Sequence, residues 1–199
     1  MSDIKCKAMV IFGPPGSGKG TVGVKLAQTT KVKHISSGDV FRGLVPSSES
    51  GKLFSQYANQ GQLVPDQATV DIFIRYLEGL VKTNKFNPEE DLLLLDGIPR
   101  TVNQVELLSS YIEFKQVFVL EIANHQVVID RILGRAEVEG RADDKSEDLI
   151  RQRLEEYERK TAAVLPLFDQ EQILRINGDA HPDRVFADAI NAFVESSKR

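Results

Sequence analysis

The sequence predicts an α/β fold, a parallel sheet with helices packed on both of its faces. Two observations carry the prediction. Short runs with strand character alternate along the chain with apolar positions at helical spacing, and the clearest strand runs, residues 8–12 and 92–95, are apolar at every position, as strands covered on both faces must be. A chain of 199 residues, 41% of them apolar, can bury one sizeable core and is short for two, so the elements are expected to share one sheet in a single core domain, 1–199.

Residues 7–12 form the first expected strand, ended by Gly13 and Pro14. Beyond Gly18, the positions Val22, Leu26 and Ala27 keep helical spacing, and a brief strand is expected near 34–36. Residues 36–64 break the alternation: polar, dotted with glycine and only weakly helical, they read as an insertion. Val70, Phe73, Ile74, Leu77, Leu80 and Val81 then mark a strong amphipathic helix. Four consecutive leucines end on Asp96 as a buried strand, and residues 116–122 and 173–176 supply two more. Residues 134–144 are charged, without an apolar stripe, and read as a second insertion. One helix is expected through Ile150, Leu154, Tyr157, Thr161, Val164 and Leu165. The last starts at about Pro182 and carries Val185, Phe186, Ala189, Ile190 and Phe193 on one face. In such a sheet, ligands bind beyond the carboxyl ends of the strands.

Charge narrows the partners. A net charge of −4 makes the chain a poor coat for nucleic acid or an anionic membrane, so neither is expected as a partner. The single cysteine, Cys6, excludes an internal disulfide and a multi-cysteine zinc site. The early apolar run is too short for a signal peptide or a spanning helix, and the expected location is the cytoplasm.

The sharpest local signal is Gly13-Pro14-Pro15-Gly16-Ser17-Gly18-Lys19-Gly20-Thr21, a GxxxxGK phosphate loop between an expected strand and an expected helix. Glycines let successive backbone N–H groups turn toward an anion, the helix start adds its dipole, and Lys19 adds a full charge. The residue after the lysine is Gly20, with the hydroxyl displaced to Thr21. Asp96, at the end of a strand, is the acid such a site needs beside Mg²⁺, which takes oxygen ligands and keeps several waters. Arg100, Arg131, Arg135, Arg141, Arg151 and Arg153 are suited to forked contact with phosphate oxygens, and Arg100, Arg135 and Arg141 fall at expected ligand edges. His34, His125 and His181 are scattered, with no ionisable partner at ligand spacing, and are expected to be structural.

Further segments join these: Ser36-Ser37-Gly38-Asp39-Val40-Phe41-Arg42, Gly61-Gln62-Leu63-Val64-Pro65-Asp66, Leu95-Asp96-Gly97-Ile98-Pro99-Arg100-Thr101, Arg131 with Arg135, and Gly140-Arg141-Ala142-Asp143-Asp144. The succession resembles the adenylate kinases, nucleoside monophosphate kinases of the short-lid type, in that family's order and over residues 7 to about 180. The resemblance implies a three-layer sandwich of the P-loop NTPase type with a five-stranded parallel sheet. It also implies a helical insertion at 36–64 that binds the nucleoside monophosphate, a short lid at 134–144, and a monomer. The implied reaction is ATP + AMP ⇌ 2 ADP with Mg²⁺ as cofactor.

Carried over by position, the resemblance implies that Gly16, Ser17, Gly18, Lys19, Gly20 and Thr21 hold the ATP phosphates. Arg131 and Arg135 would reach the ATP side, and Ala180 would lie by its adenine. Ser37, Arg42, Gln62, Leu63, Val64, Gly97, Ile98, Pro99, Arg100 and Gln104 would hold AMP. Arg141 and Arg153 would clamp the transferring phosphoryl group and reach the AMP side, with Asp143 and Asp144 supporting the lid arginines. Asp96 would hold Mg²⁺ through water. The catalytic set is then Lys19, Arg100, Arg135, Arg141, Arg153, Asp143 and Asp144.

The sequence departs from the family's pattern at three places. Ser37 stands for a usual threonine and Ile98 for a usual phenylalanine, and the span from Arg141 to Arg153 is one residue longer, which leaves Arg151 as an alternative clamp; Leu154 and Tyr157, following in the family's pattern, favour Arg153. The lid has no cysteines and so no structural zinc. A uridylate/cytidylate kinase and a nucleotide-binding switch without turnover are the competing readings. Gln104, the hydroxyl at Ser37 and Asp66 favour AMP over the first, and the second phosphate clamp argues against the second.

Overall fold

The computed structural model describes residues 4–139 and 146–196. Five parallel strands, β1 (Cys6–Phe12), β2 (Val32–Ser36), β3 (Leu92–Asp96), β4 (Ile112–Glu121) and β5 (Ile173–Asn177), lie in the order β2-β3-β1-β4-β5. Each expected strand is present, with one boundary displaced. β4 begins at Ile112 rather than 116, because exposed Glu113 and Lys115 interrupt its apolar signal; the pairing with β1 slips between Ala8 and Met9 at that point.

Alternation along the strands builds two cores. Ala8, Val10 and Phe12 of β1, with Leu93 and Leu95 of β3, pack against Val70, Phe73 and Leu77 of α4 (Asp66–Lys82) and Leu108 of α5 (Val102–Leu108). Met9, Ile11 and Leu94 face the other way, onto Val22 and Leu26 of α1 (Lys19–Thr29) and Val185 and Ala189 of α8 (Pro182–Ser196). Each fully buried side chain of this size contributes about 1.5–3 kcal/mol by leaving water. The three-layer α/β sandwich expected from the sequence is the architecture observed.

The segment 36–64 contains two helices, α2 (Ser37–Arg42) and α3 (Glu49–Ala58). Ser36 and Ser48 cap them, accepting from Asp39 N and Gly51 N, and Phe41, Val64 and Ile72 form a small core beneath them.

The helical regions need three corrections. The stripe through 150–165 is not one helix: α7 (Glu147–Glu156) widens into a π turn, Tyr157–Thr161, and then tightens into a 3₁₀ segment, Ala162–Leu167. Ala162 N donates to Tyr157 O, five residues back, and Pro166 has no N–H to continue an α-helix. α5 was not expected, nor was α6 (His125–Glu139), whose buried Val128, Ile129 and Ile132 pack on Ile150 and Leu154. α6 continues through 134–139, so the first half of the segment 134–144 is regular helix; residues 140–144 lie outside the described residues. Among the described residues no helix is long and apolar enough to cross a membrane.

Candidate active site

The carboxyl ends of β1, β3 and β2 open into one cleft of about 970 Å³, near the upper end of the range for small-molecule sites. The loop after β1 forms its floor. Gly13, Gly16 and Gly18 have φ of 154°, 77° and 96°. At Gly16 a Cβ would lie 2.6 Å from Val128 Cγ1, so only glycine lets the loop sit this close on α6. Gly18 stands at the N-terminus of α1, and Lys19, the first residue of that helix, folds back so that Nζ donates to Gly13 O at 2.7 Å and Pro14 O at 2.8 Å. Burial lowers the Lys19 pKa from 10.5 to about 8; Asp96 opposes the shift, and Arg100, Arg153 and Arg135 add to it. Cations from three distant parts of the chain therefore share one electrostatic site with Lys19.

Asp96 ends β3 and is buried, its Oδ2 3.7 Å from His34 Nε2 on β2. The register pairs Ser36 with Asp96, which brings His34 alongside; sequence spacing gave no sign of this neighbour. Gly23 makes the room, since a Cβ there would lie 2.4 Å from the imidazole. At Gly20 a Cβ would stand 3.7 Å from Asp96 Oδ2. Ser17 Oγ is buried without a protein partner. A carboxylate at a strand end beside a phosphate loop is an oxygen donor of the kind Mg²⁺ takes, so Asp96 fits that ion. Among the described residues no three His, Cys, Asp or Glu cluster together, so its remaining ligands would be phosphate and water oxygens.

The wall beyond β2 and β3 brings together most residues assigned to AMP. Ser37 Oγ and Arg100 Nε both donate to Gly97 O, each at 2.7 Å. Arg42 Nη2 donates to Asp39 Oδ1 at 2.6 Å, and Thr161 Oγ1 to Arg100 O at 3.2 Å. Gln62, Leu63, Val64, Pro99 and Gln104 line the same wall. Ile98 differs: its side chain is fully buried in the core with Phe12 and Leu95 and does not line the cleft, so only its backbone can serve there.

On the opposite wall Arg131 Nη1 donates to Gly178 O at 3.1 Å, and Arg135, Gly178 and Ala180 line the cleft. Arg153 lines it too. Arg151, two residues away on α7, is exposed and forked onto Glu147. Arg141, Asp143 and Asp144 lie outside the described residues.

Glu156, Tyr157 and Thr161 are among the wall residues that escaped the sequence reading as site residues. Tyr157 and Thr161 read as part of an apolar stripe, and the π turn rotates them to the cleft. Burial first, then Glu121 and Glu158, push the Tyr157 hydroxyl up to about 12, so it stays a neutral donor at physiological pH.

The adenylate kinase family model matches residues 11–173. Curated relatives named adenylate kinase include those of Kocuria rhizophila, 37% identical over 89% of this chain and 93% of the relative, and Corynebacterium urealyticum, 38% identical over 86% and 90%. That of Caldanaerobacter subterraneus is 34% identical over 94% of this chain and 96% of its own. A family match over the greater part of the chain and relatives covered almost end to end agree with the geometry of the cleft: this chain belongs to the adenylate kinase family, whose reaction is ATP + AMP ⇌ 2 ADP.

Proposed function

We propose that the cleft performs this reaction with the residues in the following roles. The loop from Gly16 to Thr21 holds the ATP phosphates with its backbone N–H groups and Lys19. Arg131 and Arg135 reach the ATP side, and Ala180 lies by its adenine. Ser37, Arg42, the 62–64 backbone, Gly97 to Arg100 and Gln104 hold AMP. An AMP phosphate oxygen, already anionic, attacks the γ-phosphorus in line as the bond to the β,γ-bridging oxygen breaks, so no general base is needed. Arg100, Arg135, Arg141 and Arg153 neutralise charge spread over the transferring group, with Asp143 and Asp144 supporting the lid arginines. Asp96 would hold Mg²⁺ through water, and the ion when bound supplies positive charge to the ATP phosphates.

The observation that supports this reading most is the convergence of Lys19, Arg100, Arg135 and Arg153 on one cleft. We take the insertion at 36–64 and the lid at 134–144 as the parts that close over the two substrates and exclude water. We take the protein to act as a monomer, as the family resemblance implies, and in the cytoplasm.

A coupled assay with Mg²⁺, ATP and each nucleoside monophosphate tests the assignment. AMP should give the highest kcat/KM, and a mimic joining two adenosines through phosphates should bind one-to-one. Faster turnover of CMP or UMP would instead make the chain a pyrimidine nucleotide kinase.

A further inference from the structure

Asp66 opens α4 and faces the start of α5. Its Oδ1 accepts from Thr101 Oγ1 and from Gln104 Nε2, both at 2.9 Å, and its Oδ2 accepts from Asn103 Nδ2 at 3.1 Å. Gln104 Oε1 in turn accepts from the backbone N–H of Arg100 at 2.7 Å. Gln104 is 1% exposed, yet lines the cleft.

A carboxylate can only accept and a backbone N–H can only donate. The two partners therefore fix which way the Gln104 amide points. Turned over, its oxygen would meet the Asp66 carboxylate and its NH₂ would meet the Arg100 N–H, losing two hydrogen bonds and setting like poles together in a buried place. In the fixed orientation the amide has used one of its two hydrogens and one of its two lone pairs, which leaves one donor and one acceptor in a defined order.

We infer that Asp66 is a positioning residue that locks the polarity of the Gln104 amide and thereby selects the base of the phosphoryl acceptor by its amino group. This rests on the reading that Gln104 faces that base. The adenine Watson–Crick edge offers an acceptor at N1 and a donor at the 6-amino group, which complement an N–H and a C=O held in one order. A 6-oxo purine offers the reverse, a donor at N1 and an acceptor at O6, and would be met only by the amide turned over. Cytosine shares the polarity of adenine and uracil that of the 6-oxo purines. The lock consequently distinguishes amino from oxo bases and does not by itself distinguish purine from pyrimidine. A buried polar pair left mismatched is the kind of feature that gives discrimination on the order of 10⁴ at hydrogen-bonding sites.

Asp66→Leu keeps roughly the size of the side chain and removes both oxygens that accept from Thr101, Asn103 and Gln104. In the full chain with Mg²⁺ and ATP, D66L is expected to lower the ratio of kcat/KM for AMP over IMP by at least about ten-fold, since one of the two groups holding the amide is gone. The CMP over UMP ratio should fall in parallel. Gln104→Leu, which removes the amide, should lower the AMP over IMP ratio further. If Q104L lowers the ratio and D66L leaves it within about two-fold of the parent, the lock is overturned while base contact by Gln104 stands. If Q104L itself leaves the ratio unchanged, the reading of Gln104 fails and the lock with it. Should D66L not fold, the Gln104 side-chain amide signals of the parent protein decide: slow hydrogen exchange supports the lock, and exchange at the rate of a free glutamine amide overturns it.

Discussion

Ser37 ties the first turn of α2 to the loop after β3: its hydroxyl donates to Gly97 O at 2.7 Å, and Arg100 Nε donates to the same oxygen. One carbonyl thus holds the insertion and an arginine of the cleft wall together. Ser37→Ala removes one of the two donors and should cost about 1 kcal/mol of stability, with a raised KM for AMP and little change in KM for ATP. Urea midpoints and initial rates with each substrate varied check this, and unchanged AMP affinity would refute it.

Lys19 gives the chain a defined response to pH. In the folded protein its pKa lies at about 8 against 10.5 in the unfolded chain, so between these values the unfolded chain binds more protons and rising pH favours folding at this residue. The cost of burying the charged ammonium is present in full below about pH 8 and disappears toward 10.5. Lys19→Met removes it, so the stability of this variant relative to the parent should decline as pH is raised from 7 to 10, as measured by urea unfolding at each pH. Catalysis should follow the opposite logic. In the proposed role the protonated lysine holds phosphate, so kcat/KM for ATP, which reports the free enzyme, should fall as pH passes about 8.

The two arginines of α7 should separate cleanly. Arg153 faces the cleft within electrostatic reach of Lys19, whereas exposed Arg151 is paired with Glu147. Arg153→Ala is expected to lower kcat by about 10³-fold, the scale of an arginine that neutralises a transferring phosphoryl group. Arg151→Ala should stay within about three-fold of the parent, as a solvated helix-face pair contributes little. Single-turnover rates distinguish the two, and a larger loss at Arg151 would reverse the assignment.

Much of this site was legible in the sequence because its parts are local. The phosphate loop, the leucine strand ending on Asp96 and the run from Gly97 to Thr101 each place their groups within a few residues, where chain geometry leaves little choice. What escaped depends on register or on tertiary packing. His34 beside Asp96 follows from the pairing of β2 with β3, which no spacing encodes. Thr161 and Tyr157 look like core positions until the π turn rotates them, and α6 carries its buried side as Val128, Ile129 and Ile132, too compressed to stand out from the strand before it. Asp66 was visible as a residue favouring AMP, but its hold on Thr101, Asn103 and Gln104 exists only once α4 and α5 pack side by side.

Because every strand of the sheet runs the same way, the two rims of the molecule have separate duties. Lys19, Ser37, Asp96, Arg100 and Gly178 all lie at or beyond strand ends on one rim. The turns at 30–31, 83–91, 109–111 and 168–172, where helices hand the chain back to strands, lie on the other. Changes in length or polarity in those turns reach the chemistry only through the stability of the sheet. That rim is where the chain has latitude to acquire a new segment, a label or a second attachment without altering what the cleft recognises.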